Sequence, residues 1–368
     1  MTVATVIVLT LILAAELVNG WTDAPNAIAT VIGTRSLRPG QALVMATLFN
    51  MLGVLSGTAV ATTIGTGIVD PTAISITTVG AAMVGLISWS TFAARFGIPT
   101  SESHALVAGL AGAGLAASGP SVLLWSGWQK VLIGLLLSSV IGFIGGWLLV
   151  VLISWAFRRT DRMKARHVFR WLQIGSSAFV AFSHGSNDGQ KFMGAFTLTL
   201  VLSGVLHVFT IPTWVIFLCG GVMALGTTIG GWRIMQTLGT KLTRLETHQG
   251  FAAETAAAAT ITLASSFGIP LSTTHTISTA IMGVGLTRGT HNVQWRIARE
   301  LAIAWLLTFP ICGAISWLVV IAMRAIPPKV SLAFSLAVIL LTATVFIRSR
   351  LTRLSLRRSL DQSRQYPA

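Results

Sequence analysis

Apolar residues run along this chain in blocks of about 20, each closed by a short polar or basic stretch. The first reads MTVATVIVLTLILAAELVNG, and similar blocks recur to the C-terminal region. Wound as a helix, such a block crosses the roughly 30 Å of a bilayer's hydrocarbon. The blocks fall near 1–34, 41–66, 73–94, 97–117 and 122–157, then near 172–206, 207–232, 249–266 and 270–286, with a final hairpin. They predict an all-α integral membrane protein of about 10–12 transmembrane segments. The N-terminal block lacks the basic n-region and small-residue cleavage site of a signal peptide, so it is expected to stay as the first helix.

Composition agrees, with 53% of residues hydrophobic and 10% charged. The net charge of +15 would suit nucleic acid, but its placement argues against that partner. The basic residues gather in RRTDRMKARHVFR (158–170), from Arg233 to Arg244, from Arg288 to Arg299, and in the tail RSRLTRLSLRRSL. These are ends and loops of spans, where Lys and Arg mark the cytoplasmic side or meet anionic lipid. Placing 158–170 in the cytoplasm puts every basic cluster inside, the N-terminus outside and the C-terminal tail in the cytoplasm of a multi-pass cell-membrane protein. Cys219 and Cys312 lie in apolar segments and imply neither disulfide nor metal site.

Two motifs repeat. FGIPTSESHALVAGLAG (96–112) returns as FGIPLSTTHTISTAIMG (267–283), and GWTD (20–23) returns more faintly as GSND (185–188). The chain therefore divides into a first repeat (1–157), a basic linker (158–170), a second repeat (171–325), a last transmembrane helix (326–347) and a basic tail (348–368). The charge pattern makes the two repeats inverted, an arrangement that places a transporter's site near the midplane between interrupted helices. Gly20, Pro25 and Gly33 are expected to interrupt the first segment, and Gly185, Gly189 and Gly194 its partner. Gly97-Ile98-Pro99 and Gly268-Ile269-Pro270 are expected to end one helix and start another, proline fitting a first turn.

Free first-turn amides make each such helix start a cradle for anions. Thr100, Ser101 and Ser103 on one side, with Ser272, Thr273 and Thr274 on the other, add hydroxyl donors that two opposed half-helices would aim at a tetrahedral oxyanion. Ser and Thr are also ordinary caps and packing residues in membranes. An aspartate at membrane depth is costly and marks an ion or proton path. Asp23 with Asn26, and Asp188 with Asn187, offer oxygens suited to Na⁺ or a proton. Lys191 holds the place in the second repeat that Asn26 holds in the first, where it can neutralise Asp188, contact substrate oxygens or replace a metal ion. His184 can tune Asp188, and Glu102, Glu254 and Glu16 are candidate proton-path groups. His104 and His275, one repeat apart, are read equally well as packing residues.

Together these residues resemble the inorganic phosphate transporter (Pit) family. The carriers of that likeness are GWTDAPNAIATVIGTRSLRP, HGSNDGQKFMG and the stretch from Trp232 through FGIPLSTTHT. The resemblance implies symport of phosphate with a cation and no bound cofactor. NDGQK and ATVIGTRSLRP look most like the bacterial low-affinity branch, associated with proton coupling and with metal-phosphate uptake. Thr22 stands for the family's Asn or His, Pro25 for Ala, and Glu102 for Ser or Thr. Sulfate carriers also occur in the family, and sodium coupling and a homo-oligomer stay open. The motifs of intramembrane aspartyl proteases, H-E-x-x-H and G-x-S-x-G are absent, so no enzyme is expected.

Overall fold

The computed structural model describes residues 1–325 and, beyond them, only Ala337 and Thr344. The expected last helix (326–347) and basic tail (348–368) otherwise lie outside the described residues. The first half holds α1 (Val3–Gly33), α2 (Pro39–Val54), α3 (Ala59–Gly67), α4 (Ile76–Phe96), α5 (Glu102–Ser118) and α6 (Trp125–Ala156). In the second, α7 (Arg162–His184) runs through a π-turn at Gly185–Gly189 into α8 (Gln190–Leu202). Then come α9 (Thr213–Thr227), α10 (Trp232–Gln236), α11 (Thr247–Ser266), α12 (Thr273–Leu286) and α13 (Trp295–Ala325). No strand occurs among the described residues.

Both halves follow one plan: a long helix, a bent pair, a helix, a half-length helix, a short 3-10 turn and a long helix. The α2–α3 pair bends by 67° and the pair beginning with α9 by 65°. A lone backbone bridge between Val69 and Leu123 precedes α6, and its like between Thr243 and Val293 precedes α13. The halves also trade partners, α5 packing on α13 and α12 on α6. Among the described residues, α1, α4, α6 and α13 are each long and apolar enough to cross a membrane, and six spans result if each bent pair counts as one. Leu136, Ile144, Leu306 and Leu318 on α6 and α13 are exposed, as residues facing lipid are.

The two segments expected to be interrupted run on as helices. α1 passes Gly20 and Pro25 without ending and stops only at Gly33. Gly20 is a packing point: a Cβ there would sit 2.3 Å from the Met223 carbonyl oxygen on α9, so its bareness lets two backbones touch. Gly185 serves likewise against the Asn50 carbonyl of α2, at 2.1 Å. The π-turn widens the helix without breaking it and turns Asn187 and Asp188 inward, as such bulges do at functional sites. Pro25 forgoes one backbone hydrogen bond, which a membrane helix packed on all sides tolerates.

Real breaks fall elsewhere. Residues 55–58 divide the expected 41–66 span, and 228–231 end α9 early. The basic 233–244 stretch, expected as a loop, starts as α10 and continues as a π-turn (Thr237–Lys241) packed on α1. Ser56-Gly57-Thr58 and Gly230-Gly231 are poor helix formers that the apolar runs around them hid. At the repeated motif the breaks are where the sequence placed them. Gly97 (φ 72°) and Gly268 (φ 65°) take the left-handed turn open to glycine, and Pro99 and Pro270 follow. The chain then turns into the protein, so the expected spans 97–117 and 270–286 are shorter helices with buried starts. α5 and α12, of 17 and 14 residues, are about 25 and 21 Å long, short of a 30 Å core.

Candidate substrate and cation site

The starts of α5 and α12 meet in the middle of the protein, between α1 and the π-turn of α7–α8. Lys191 joins them. Its ammonium is 2.5 Å from Asp188 Oδ1, donates to Ser103 Oγ at the start of α5, and lies 3.1 Å from the Leu271 carbonyl just before α12. The Ser103 hydroxyl also donates to the Leu271 carbonyl, at 2.8 Å. Lys191 is wholly buried, a position an ammonium holds only when paired and hydrogen-bonded.

The second half-helix reaches both aspartates. Thr273 donates to Asp188 Oδ2 and Thr274 to Asp23 Oδ1, each at 3.2 Å, while Asn26 Nδ2 donates to Thr274 at 2.9 Å. Asp23 Oδ2, Asn26 Oδ1 and Asn187 Oδ1 are buried acceptors without a hydrogen-bond partner, oxygens free to face a cation. His184 Nε2 lies 3.8 Å from Asp23 Oδ2 and 3.6 Å from Asp188 Oδ2. The ligand atoms of Asp23, His184 and Asp188 all fall within 4.8 Å of one another.

A chain of hydrogen bonds fixes which nitrogen of His184 faces the carboxylates free. Thr227 gives its proton to the Met223 carbonyl, so its oxygen accepts from Asn50 Nδ2 at 3.0 Å. That orients Asn50 with Oδ1 toward His184 Nδ1, also at 3.0 Å. An acceptor there requires a proton on Nδ1, leaving Nε2 of the neutral ring as a lone pair aimed at the two aspartates. A proton or a metal ion taken up at this point meets one nitrogen and two carboxylates.

Other residues singled out in the sequence take different places. Ser101 and Ser272 cap their own helices, accepting from the amides of His104 (3.3 Å) and His275 (3.2 Å); each keeps its own O–H to donate. Thr100 is buried beside Ser101. Asn187 ties down the turn before α12 through Ser265 Oγ (2.8 Å) and the Ile269 carbonyl (3.3 Å). Both oxygens of Glu102 are held by hydroxyls of α1 and α4, Thr22 at 2.9 Å and Ser90 at 2.6 Å. Glu254 stands apart, accepting from Thr30, Ser176 and Gln173. Thr30 is seven residues past Asp23, about 10 Å along α1. His104 and His275 meet edge to face at 4.7 Å, with Phe309 and Trp305 against them, and are packing rings.

Sequence reasoning passed over Asn50, Ser90 and Gln173. Asn50 left a signal, a lone amide inside the apolar run LVMATLFNMLGV. Ser90 and Gln173 left none, since a serine in a membrane helix and a glutamine beside basic residues are both commonplace.

A family model described as the phosphate transporter family matches residues 19–316. A probable low-affinity inorganic phosphate transporter of Rhizobium meliloti (strain 1021) is 43% identical over 303 residues, covering 82% of this chain and 91% of that protein. One of the same description from Bacillus subtilis (strain 168) is 37% identical over 324 residues, covering 86% and 97%. A solved structure described as the sodium-dependent phosphate transporter superposes with a TM-score of 0.80 at 26% identity, covering 89% of this chain and 100% of that one. With the match spanning both half-helix starts and both aspartates, this multi-pass membrane protein belongs to the phosphate transporter family.

Proposed function

We propose that the chain takes up inorganic phosphate across the cell membrane by symport with a cation, and that the cation is a proton. The observation that carries this reading is the buried Lys191, bonded at once to Asp188 and to both half-helix starts. A phosphate dianion arriving between Ser103, Thr273 and Thr274 competes with Asp188 for that ammonium. As Lys191 turns to the phosphate, Asp188 loses its counter-ion, and a buried carboxylate without one takes up a positive charge. The open Nε2 of His184, 3.6 Å away, and Asp23 beyond it give an arriving proton three places to sit. Substrate binding thus calls for the cation, which is what symport needs. The relatives described as low-affinity inorganic phosphate transporters support the substrate.

In this reading the halves are inverted about the central site, the tail and the 158–170 linker are cytoplasmic, and rocking of one half against the other exposes the site alternately. Glu102 and Glu254 serve as further proton stations beside it. A second reading has an observation in its favour, because the superposed structure is described as sodium-dependent. Asp23, Asn26 and Asn187 supply hard oxygens for Na⁺. The imidazole nitrogen of His184 suits instead a proton, or a divalent ion carried in with phosphate as cargo.

Uptake of labelled phosphate into proteoliposomes tests this. An inward proton gradient is expected to drive accumulation in sodium-free buffer, a protonophore to abolish it, and excess sulfate to compete weakly. Accumulation that needs sodium and ignores the pH gradient overturns the proton reading. Full competition by sulfate overturns the choice of phosphate.

A further inference from the structure

A polar stripe runs down the apolar helix α1. Glu16, Asn19, Asp23, Asn26 and Thr30 follow one another at intervals of three and four, so they share one face. All five are buried, and the stripe is about 21 Å long. Asp23 lies at its centre. Toward the basic linker the stripe ends in a hydrogen-bonded network: Thr30 bonds Glu254, Gln173 bonds Glu254, and Gln173 Oε1 accepts from Thr34 (2.8 Å) and Ser36 (2.7 Å). Arg170 Nε reaches the Ser36 carbonyl at 3.3 Å, which carries the polar contacts to the linker.

The other end is different. Glu16 and Asn19 are both 0% exposed. Neither oxygen of Glu16 has a hydrogen-bond partner, and neither do Nδ2 and Oδ1 of Asn19. Glu102 and Glu254, the other two buried glutamates, have both oxygens occupied by hydroxyl donors. A helix-to-helix hydrogen bond, the ordinary role for a membrane glutamate, is therefore not what Glu16 makes here. A buried carboxylate without a partner does not stay charged; it holds a proton or a cation. Asn19, three residues on and on the same face of α1, is the polar side chain beside it.

We propose that Glu16, with Asn19 beside it, is a second station for the coupling cation, on the side of Asp23 away from the basic linker. It rests on the symport reading above. The Glu16 carboxylate takes a proton arriving from the N-terminal end of α1. It then releases that proton, through water molecules admitted past Asn19, to Asp23, seven residues or about 10 Å further along α1, and the Asn19 amide becomes donor to the carboxylate left behind.

Two assays on reconstituted full-length protein test this: net phosphate uptake driven by a cation gradient, and phosphate–phosphate exchange at equal concentrations without one. Only net uptake requires the cation to load and unload on every cycle. In Glu16→Gln the ratio of net uptake to exchange is expected to fall at least tenfold. A ratio within twofold of wild type overturns the proposal. In the unmutated protein a lipid-soluble carbodiimide, which adds to protonated carboxyls, is expected to modify Glu16, as read by peptide mass spectrometry. Modification of Glu254 with none at Glu16 overturns it independently of how the variant folds. If sodium rather than protons drives the wild-type protein, the proton reading of the central site falls, and the ratio assay run with sodium judges Glu16 separately.

Discussion

Asp188 and Lys191 make structure and transport separable in one experiment. The two charges are wholly buried and 2.5 Å apart, so Asp188→Asn strands an ammonium and is expected to cost about 3–5 kcal/mol. Removing both charges, as Asp188→Asn with Lys191→Gln, strands nothing. We expect the double variant to recover most of the thermal stability lost in the single one and to recover no uptake. If melting in detergent improves and uptake returns with it, the pair only holds the fold. Asp23 has no such partner, and Asp23→Asn is expected to stay folded while losing concentrative uptake. The Asn50–His184 bond supports a finer test. Asn50→Ala frees the imidazole to place its proton on either nitrogen, and a loss of about 10- to 100-fold in uptake is expected, by analogy with metal-bound histidines whose second nitrogen loses its partner. Uptake unchanged in that variant would remove the tautomer from the mechanism. Both aspartates, Lys191 and the Thr273–Thr274 pair were legible because an ionisable group or a repeated hydroxyl motif stands out in apolar sequence. The caps formed by Ser101 and Ser272 were not, since a capping serine and a substrate-binding serine look alike until the first-turn amides are placed.

Among elements, the sequence was most misleading at its glycines. Gly97 and Gly268 do end helices, and the proline two residues later announces it. Gly20, Gly185 and Gly194 lie in helices that continue, because each faces a neighbouring backbone carbonyl: Met223, Asn50 and Ala61 respectively. A single sequence does not distinguish a glycine that lets a helix end from one that lets two helices touch. The difference lies in a partner more than a hundred residues away in the chain. The contact reading is testable. Gly20→Val puts its Cβ 2.3 Å from the Met223 carbonyl oxygen, well inside contact distance, so α1 and α9 must part at the level of the site. We expect a loss of about 1–3 kcal/mol, the cost of overpacking, seen as earlier melting and lower recovery from the membrane. A Gly20→Val protein as stable as the original would mean that α1 and α9 do not meet so closely.

At the scale of the molecule, neither half is a domain. The largest apolar cluster gathers Val8, Leu11, Val79 and Leu106 from the first half with Phe192, Met193, Met223 and Cys312 from the second. The next joins Ile28, Leu43 and Val150 to Leu238, Ala257 and Ile281. The site is shared in the same way, since Asn26 and Asp23 meet Thr274 while Lys191 meets Ser103. A domain carries its own core, so a half-chain alone leaves α5 without α13 and the start of α12 without α1. The linker around Arg159 and Thr160 is exposed and is a place where the chain can be cut without severing an element. Expressed separately, 1–159 and 160–368 are each expected to be degraded or to aggregate. Expressed together, they are expected to co-purify and restore phosphate uptake, because every contact that builds the site runs between residues the cut leaves intact. Cooperative melting of 1–159 by itself would show that the first half owns a core, and the exchange of helices would then decorate the fold rather than create its site.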